Sequence, residues 1–379
     1  MKNIVTIWWW NWHSSILKWL YNHFNKNNSW YDYNISAIVS MSDDGRTTWL
    51  LMREMQEKLD LHMPPPGDLR RCLFSLSGSV YRNEFERLFE TVIHFEWQIS
   101  DFRIIDILKK IWEEDGFIQN LTKHDKDFLN YKLPLKSDIN WHKFGNILMA
   151  ILYYEFGDYN KMMDFMSFLL DVKWKIIPVT TDKAFIKAEL NNWKIIKTQD
   201  KISNVCDYDS SIKKIELMEC SENARLNKWV LESIEKADII IIWPWDLFTS
   251  IDANFIIQWF LEVINKSKSE KIYILNSNNK VWETTWYTIV DFIDFMQARI
   301  DLDIVVWNSV LPKLDKMQLK KFKNDISVKW WDFLVLDEQI RQKILEKYSN
   351  INLVYWDYVD QEKVYKYSEK LISDLVGKI

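Results

Sequence analysis

The chain has 379 residues, 54 acidic and 49 basic side chains for a net charge of −5, and a 48% hydrophobic content, with its charges interspersed. That length accommodates a large α/β core, and that charge balance excludes a protein built to lie on nucleic acid or on an acidic membrane surface. Cys72, Cys206 and Cys220 lack metal-ligand spacing and argue against a disulfide framework, and no apolar run reaches membrane-span length, so a cytoplasmic location is expected.

In chain order, Ile4 to Ile7 reads as a buried first strand and Ser14 to Phe24 as an amphipathic helix. Between them, "WWWNWH" puts Trp8, Trp9, Trp10 and Trp12 where a strand-to-helix turn needs small residues. A second strand, Ile35 to Val39, runs into "SMSDDGRTTW", which projects Ser42, Asp43, Asp44 and Arg46 from a strand's carboxyl end, where open α/β sheets bind ligands. Adjacent carboxylates suit Mg²⁺ held against a diphosphate, while their plainer role is to cap a helix starting near Thr47. In "MPPPGDLRRCL", Pro64 to Pro66 stiffen a loop and aim Asp68 and Arg70; a rigid turn with a helix cap is the plainer role here.

From about 80 to 170 the periodicity is helical and strand signals are few. This stretch reads as a helical insertion that lids or flanks the sheet, inside a single domain spanning 1–379, and its Met and Phe stripes read as helix core. Strands are then expected at Ile176 to Val179, Ile239 to Ile242, Ile272 to Leu275, Ile304 to Val306 and Leu353 to Tyr355. Helices are expected at Ala253 to Ile264, Thr288 to Ile300, Glu338 to Tyr348 and Gln361 to Leu375. Short apolar runs alternating with helices imply an α/β fold with a mostly parallel sheet covered on both faces.

"ADIIIIWPWDLFTSI" carries a fully buried strand into Trp243-Pro244-Trp245-Asp246, with the Thr249 and Ser250 hydroxyls ahead of a helix. The six histidines, His13, His23, His62, His94, His124 and His142, have neither metal-ligand spacing nor a partnered nucleophile.

The tryptophans need their own explanation. There are 22 of them beside 7 glycines, whereas ordinary usage of about 7% would put roughly 27 glycines in this chain. Together the two counts make an ordinary glycine content. Trp30, Trp193, Trp330, Trp331 and Trp356 all stand in polar turn contexts, and in "AFIKAELNNWKIIKT" Asn192-Trp193 occupies the place of a hairpin's Asn-Gly. The pattern is that of glycine codons, UGA recoded from stop, written as Trp. The alternative is a Trp-rich carbohydrate-binding surface, whose flat stacking platforms do not require Trp at turns.

With glycine at those positions, the opening turn becomes a backbone cradle for a phosphate at a helix N-terminus, and the 243–250 turn becomes a second one on the same sheet edge. The chain then shows G-G-G-N-G-H at 8–13, S-D-D-G-R-T-T-G at 42–49, P-P-G-D-L-R at 65–70 and N-G-H-K-F-G-N at 140–146. G-P-G-D-L-F-T-S at 243–250 and V-G-E-T-T-G-Y-T at 281–288 follow. These six blocks resemble the family of 2-phospho-L-lactate transferases (CofD) and bacterial gluconeogenesis factors (YvcK).

The resemblance implies a Rossmann-like, doubly wound fold that binds a nucleotide diphosphate at the carboxyl ends of its strands. Carried over block by block, the ligand residues would be Trp8, Trp9, Trp10, Asn11, Trp12, His13, Ser42, Arg46, Asp68, Arg70, Asn146, Trp243, Trp245, Asp246, Thr249, Ser250, Glu283 and Thr284. The gluconeogenesis-factor branch binds a UDP-sugar and regulates central carbon flow and cell-wall growth, and the D-D-G, P-P-G-D-L-R and G-P-G-x-L-F-T-S forms sit closer to it. In the transferase branch, Asp43 and Asp44 would be catalytic and hold Mg²⁺ while a phospholactyl group moves from lactyl-diphosphoguanosine to a deazaflavin. Asn11, Arg71 and Asp246 depart from the pattern and bear on the ligand's base and sugar. The expected partner is a nucleotide-diphosphate small molecule, with no nucleic acid or membrane, and a homodimer is left open.

Overall fold

The computed structural model describes residues 1–8, 17, 19–24, 32–79, 82–92, 141–203, 211–244, 246–280, 283–308, 330–334, 338–358, 368, 370–371 and 374–375. β1 (Lys2–Trp8) is followed by helical residues at 17 and 19–24 and by β2 (Tyr33–Val39). Five helices come next: α1 (Arg46–Leu59), α2 (Pro66–Ser75), α3 (Arg82–Glu90), α4 (Phe144–Phe156) and α5 (Tyr159–Leu169). Then follow β3 (Lys175–Pro178), β4 (Ile186–Leu190), β5 (Ile195–Lys197), a five-residue helix (Gln199–Ser203), β6 (Ile212–Leu217) and α6 (Lys228–Glu235). β7 (Ile239–Ile242) leads into a π-helix (Leu247–Asp252) and α7 (Phe260–Lys266). The remainder is β8 (Glu270–Ile274), β9 (Asn278–Lys280), α8 (Ile289–Gln297), β10 (Ile304–Asn308), β11 (Trp330–Phe333), α9 (Glu338–Lys347) and β12 (Asn352–Trp356).

Seven strands make one parallel sheet in the order β12-β10-β8-β7-β1-β2-β3. Each of the seven expected strands lies in it, because β-branched runs of four or more apolar residues persist only where helices cover both faces. β1 is the pivot: Ile4 pairs with Ile35 of β2 on one side and with Ile239 of β7 on the other. From there the chain winds outward in both directions, so the carboxyl ends of β1 and β7 flank a topological switch point, the place where such sheets open a ligand crevice.

The described part of 80–170 is helical, and residues 93–140 lie outside the described set. Every residue of α4 from Phe144 to Tyr153 is buried, so α4 is the central rod of this layer. Asp158 caps α5 by accepting from the Asn160 and Lys161 N–H groups, and Thr288 and Asp291 close a capping box on α8. Among the described residues, no helix is long and apolar enough to cross a membrane.

Two expectations change. The helix foreseen over Ala253 to Ile264 is broken into a short turn (Ala253–Phe255) and α7, with Trp259 at φ 73° between them. A left-handed residue cannot continue a right-handed helix, so the break is local and steric. The unforeseen strand β6 pairs with β4 to complete a small antiparallel sheet, β5-β4-β6. The helix expected at Gln361 to Leu375 lies largely outside the described residues.

Among the described residues, seven other than glycine have positive φ, and four of them are tryptophans: Trp141 (68°), Trp193 (67°), Trp259 (73°) and Trp286 (72°). Glycine adopts this region without cost, whereas a bulky side chain there is an outlier. Trp141, Trp193 and Trp286 are also two-thirds or more exposed, Trp193 at 75%, and Trp259 is half exposed, so burial does not offset the strain. Gly157, at φ 60°, shows the ordinary solution when it terminates α4.

Candidate functional site

The turn after β2 and the turn after β7 meet above the switch point. Ser42 Oγ donates to the Thr249 carbonyl at 3.4 Å and lies 3.3 Å from Ser40 Oγ, tying the two loops across 207 residues of sequence. Ser250, fully buried beside them, has an Oγ with no hydrogen-bond partner among the described residues.

Asp43 and Asp44 follow Ser42 directly. The Gly45 N–H donates to Asp43 Oδ1 at 2.9 Å, and the Asp200 N–H donates to Asp44 Oδ1 at 2.8 Å. Burial pushes both carboxyls up, Asp44 to about 6, and the neighbouring charges of Asp43 and Asp200 push Asp44 the same way. Arg71 partly offsets this at Asp43, and it also pairs with Asp68 at 3.4 Å. Crowded carboxylates of this kind gain from an added cation, and Mg²⁺ is held by one or two carboxylates plus phosphate oxygens. The pair therefore fits that ion. Among the described residues, no group of three or more His, Cys, Asp or Glu side chains is arranged to hold a metal by itself.

The turn after β7 carries its own anion. The N–H groups of Phe248 and Thr249 donate to Glu283 Oε2 at 3.2 and 3.5 Å, and Thr249 Oγ1 donates to Glu283 Oε1 at 2.5 Å. Glu283 is fully buried, and Lys280 Nζ bridges it, at 3.2 Å, to the buried Asp246. Burial alone would lower Lys280, but the two carboxylates beside it outweigh that and hold it above its ordinary value. The Phe248 and Thr249 donors thus meet the protein's own carboxylate.

Arg70 and Asn146 are placed together, facing inward. Arg70 Nε donates to Asn146 Oδ1 at 2.9 Å, and Nη1 donates to the Phe89 carbonyl at 3.4 Å and pairs with Glu90, which Lys143 also contacts. The guanidinium joins α2, α3 and α4, and so positions α2, whose first turn carries Asp68. Gly145 is required for this approach, since a Cβ there would lie 2.5 Å from Arg70 Cδ and 2.9 Å from Phe89 Cβ.

Thr284 Oγ1 accepts from the Lys280 N–H at 2.8 Å, inside the same loop as Glu283. Trp243 is fully buried immediately after β7. Trp9, Trp10, Asn11, Trp12, His13 and Trp245 lie outside the described residues, as do the side chains of Trp8 and Arg46. Lys280 and Asp200 were not foreseen. For Lys280 a signal existed, since it precedes Glu283 by three residues; for Asp200, 156 residues from Asp44, there was none.

The sequence profile of the family described as 2-phospho-L-lactate transferase CofD matches residues 14–374. The chain belongs to this family. Within it, the gluconeogenesis factor of Bacillus subtilis is 25% identical over 279 residues, covering 73% of this chain and 71% of that protein. A provisionally named gluconeogenesis factor of Thermotoga maritima is 24% identical over 350 residues, covering 92% and 91%. A Clostridium acetobutylicum relative, 26% identical, aligns with 77% of this chain but only 55% of its own length. The crystal structure of a UPF0052 family member from Bacillus halodurans superposes with a TM-score of 0.72 at 22% identity, covering 99% of both chains, and shares the fold.

Proposed function

We propose that this family member binds a nucleotide diphosphate, a UDP-sugar in first place, at the β1/β7 switch point, and acts as a regulator in the manner of the gluconeogenesis factors. The observation that carries this reading is the junction of the β2 and β7 turns through Ser42 and Thr249, next to the partnerless buried hydroxyl of Ser250. The transferase reading stays second, and the raised Asp43–Asp44 pair is what favours it. In that case the two carboxylates would hold Mg²⁺, which would supply charge neutralisation at the diphosphate.

The same reading takes the turn tryptophans as glycine in the protein made by its own cell, with UGA as the recoded codon. Its support is the left-handed backbone at Trp141, Trp193, Trp259 and Trp286, which is independent of the composition. An intact mass of native-source protein below that of the written sequence is expected; a mass equal to it would end the proposal.

Calorimetry with UDP- and GDP-sugars tests the ligand. The chain with glycine at 8, 9, 10, 12, 243 and 245 is expected to bind a UDP-sugar and the chain with tryptophan there to bind it poorly. Neither form is expected to release GMP from lactyl-diphosphoguanosine with Mg²⁺ and a deazaflavin present. Multiple-turnover release that Asp44→Asn abolishes, with donor binding retained, would establish the transferase instead.

A further inference from the structure

A second concave site lies on the same edge of the sheet, beyond β3, and shares no residue with the crevice described above. Its cavity of about 650 Å³ is lined by His62, Asp158, Asn160, Asp182, Lys183, Arg225 and Lys228 among others. That volume lies in the range of small-molecule sites.

Charge sets its character. Asp158 is engaged as the cap of α5, and Asp182 Oδ2 accepts from the Arg225 N–H at 2.9 Å, so both carboxylates are committed to backbone groups. Lys183, Arg225 and Lys228 make no ion pair among the described residues, and the aromatic neighbour of the Arg225 guanidinium is Trp259, 5.8 Å away. Asn160 and Asn227, both buried, exchange amide hydrogen bonds of 2.9 and 3.2 Å and form a rigid floor. His62 contributes a ring whose Nε2 is buried without a partner among the described residues. Burial, followed by the Lys183 charge, lowers it to about 4, so at neutral pH the ring carries no charge. The ends of α5 and α6 are already capped, by Asp158 and Asn227, and carry no part of this inference.

We infer that this cavity binds a small metabolite carrying a phosphate or diphosphate group, held by Lys183, Arg225 and Lys228 over the Asn160–Asn227 floor. Lys183, Arg225 and Lys228 line one concavity against two carboxylates already engaged by backbone N–H groups, and an Arg fork flanked by lysines suits phosphate oxygens. A flat cationic face would serve an acidic protein segment equally well; the concavity of about 650 Å³ over the Asn160–Asn227 pair favours the small molecule.

Calorimetric titration of the full chain with inorganic pyrophosphate tests the inference. Saturable binding is expected, weakened by added salt and at least tenfold weaker in Lys183→Gln/Arg225→Gln. Lys183 is half-buried, Arg225 is exposed, and neither side chain bonds the Asn160–Asn227 floor, so the variant's thermal melt is expected to match the parent's and to separate lost binding from lost fold. Binding that the double variant leaves within twofold would place pyrophosphate in the switch-point crevice and overturn the inference. So would the absence of saturable binding, or a hexaglutamate peptide that binds through these residues where pyrophosphate does not.

Discussion

Two stretches of one sheet edge handle anions in opposite ways. At the centre, after β7, backbone donors and a buried lysine close on Glu283 and Asp246, and the turn supplies its own negative charge. At the β3 end, the acidic side chains are drawn off to cap backbone groups and three cations face an open cavity. Since both stretches start from the same strand-end geometry, the difference comes from what the following loops deliver. Glu283 brings a carboxylate to the donors, and residues 183, 225 and 228 bring cations. A strand end alone therefore does not specify a ligand.

The largest expected effect probes the closed centre. Lys280→Met leaves Glu283 and Asp246 buried without their cation, and should lower stability by about 3–5 kcal/mol in denaturant titration. A loss under 1 kcal/mol would mean that the turn is not held by this ion cluster.

Next come two groups that titrate with opposite sign. The Asp44 carboxyl is raised to about 6 in the folded chain, so its contribution is most favourable below pH 3.8 and is lost as pH rises to 6. Asp44→Asn should stabilise the protein by about 2–3 kcal/mol at pH 7 and flatten that part of the profile. His62 is depressed to about 4, so its favourable contribution is present above pH 6.5 and is lost as pH falls towards 4. The parent should therefore lose about 2 kcal/mol more than His62→Gln between pH 7 and pH 4, as read by urea melts at each pH.

The smallest effect concerns backbone handedness. Trp193→Gly at the exposed hairpin tip should raise stability by about 1 kcal/mol. Gly157→Ala should lower it by a similar amount, although a Cβ there meets nothing within 4 Å, so the effect is purely conformational. Equal melting of Trp193→Gly and the parent would remove the strain argument at that turn.

The parallel sheet was legible because each strand declares itself by local composition: Ile239 to Ile242 admits hardly any other reading than a fully buried strand. The hairpin at Asn192-Trp193 was legible for a similar reason, with alternating runs on both sides of a turn, and β4 and β5 pair there. The site was legible only in part. Ser42, Asp43 and Thr249 stand at strand ends that composition reveals, but whether Glu283 meets a ligand or meets Thr249 is decided by loops that converge in space. The inward turn of Arg70 depends on Glu90 and Asn146, 20 and 76 residues away, and no local pattern reports it.

Pro178 has a consequence for how molecules of this chain can associate. The Val179 N–H points inward to the Val39 carbonyl, so position 178 faces the outer rim of the sheet, where proline offers no donor. Its carbonyl is already taken by Asn227 Nδ2 at 3.2 Å. At that position an incoming strand finds neither half of a hydrogen-bond ladder. Edge-to-edge growth, the route from a sheet to a fibre, is hindered at the β3 edge of the seven-stranded sheet.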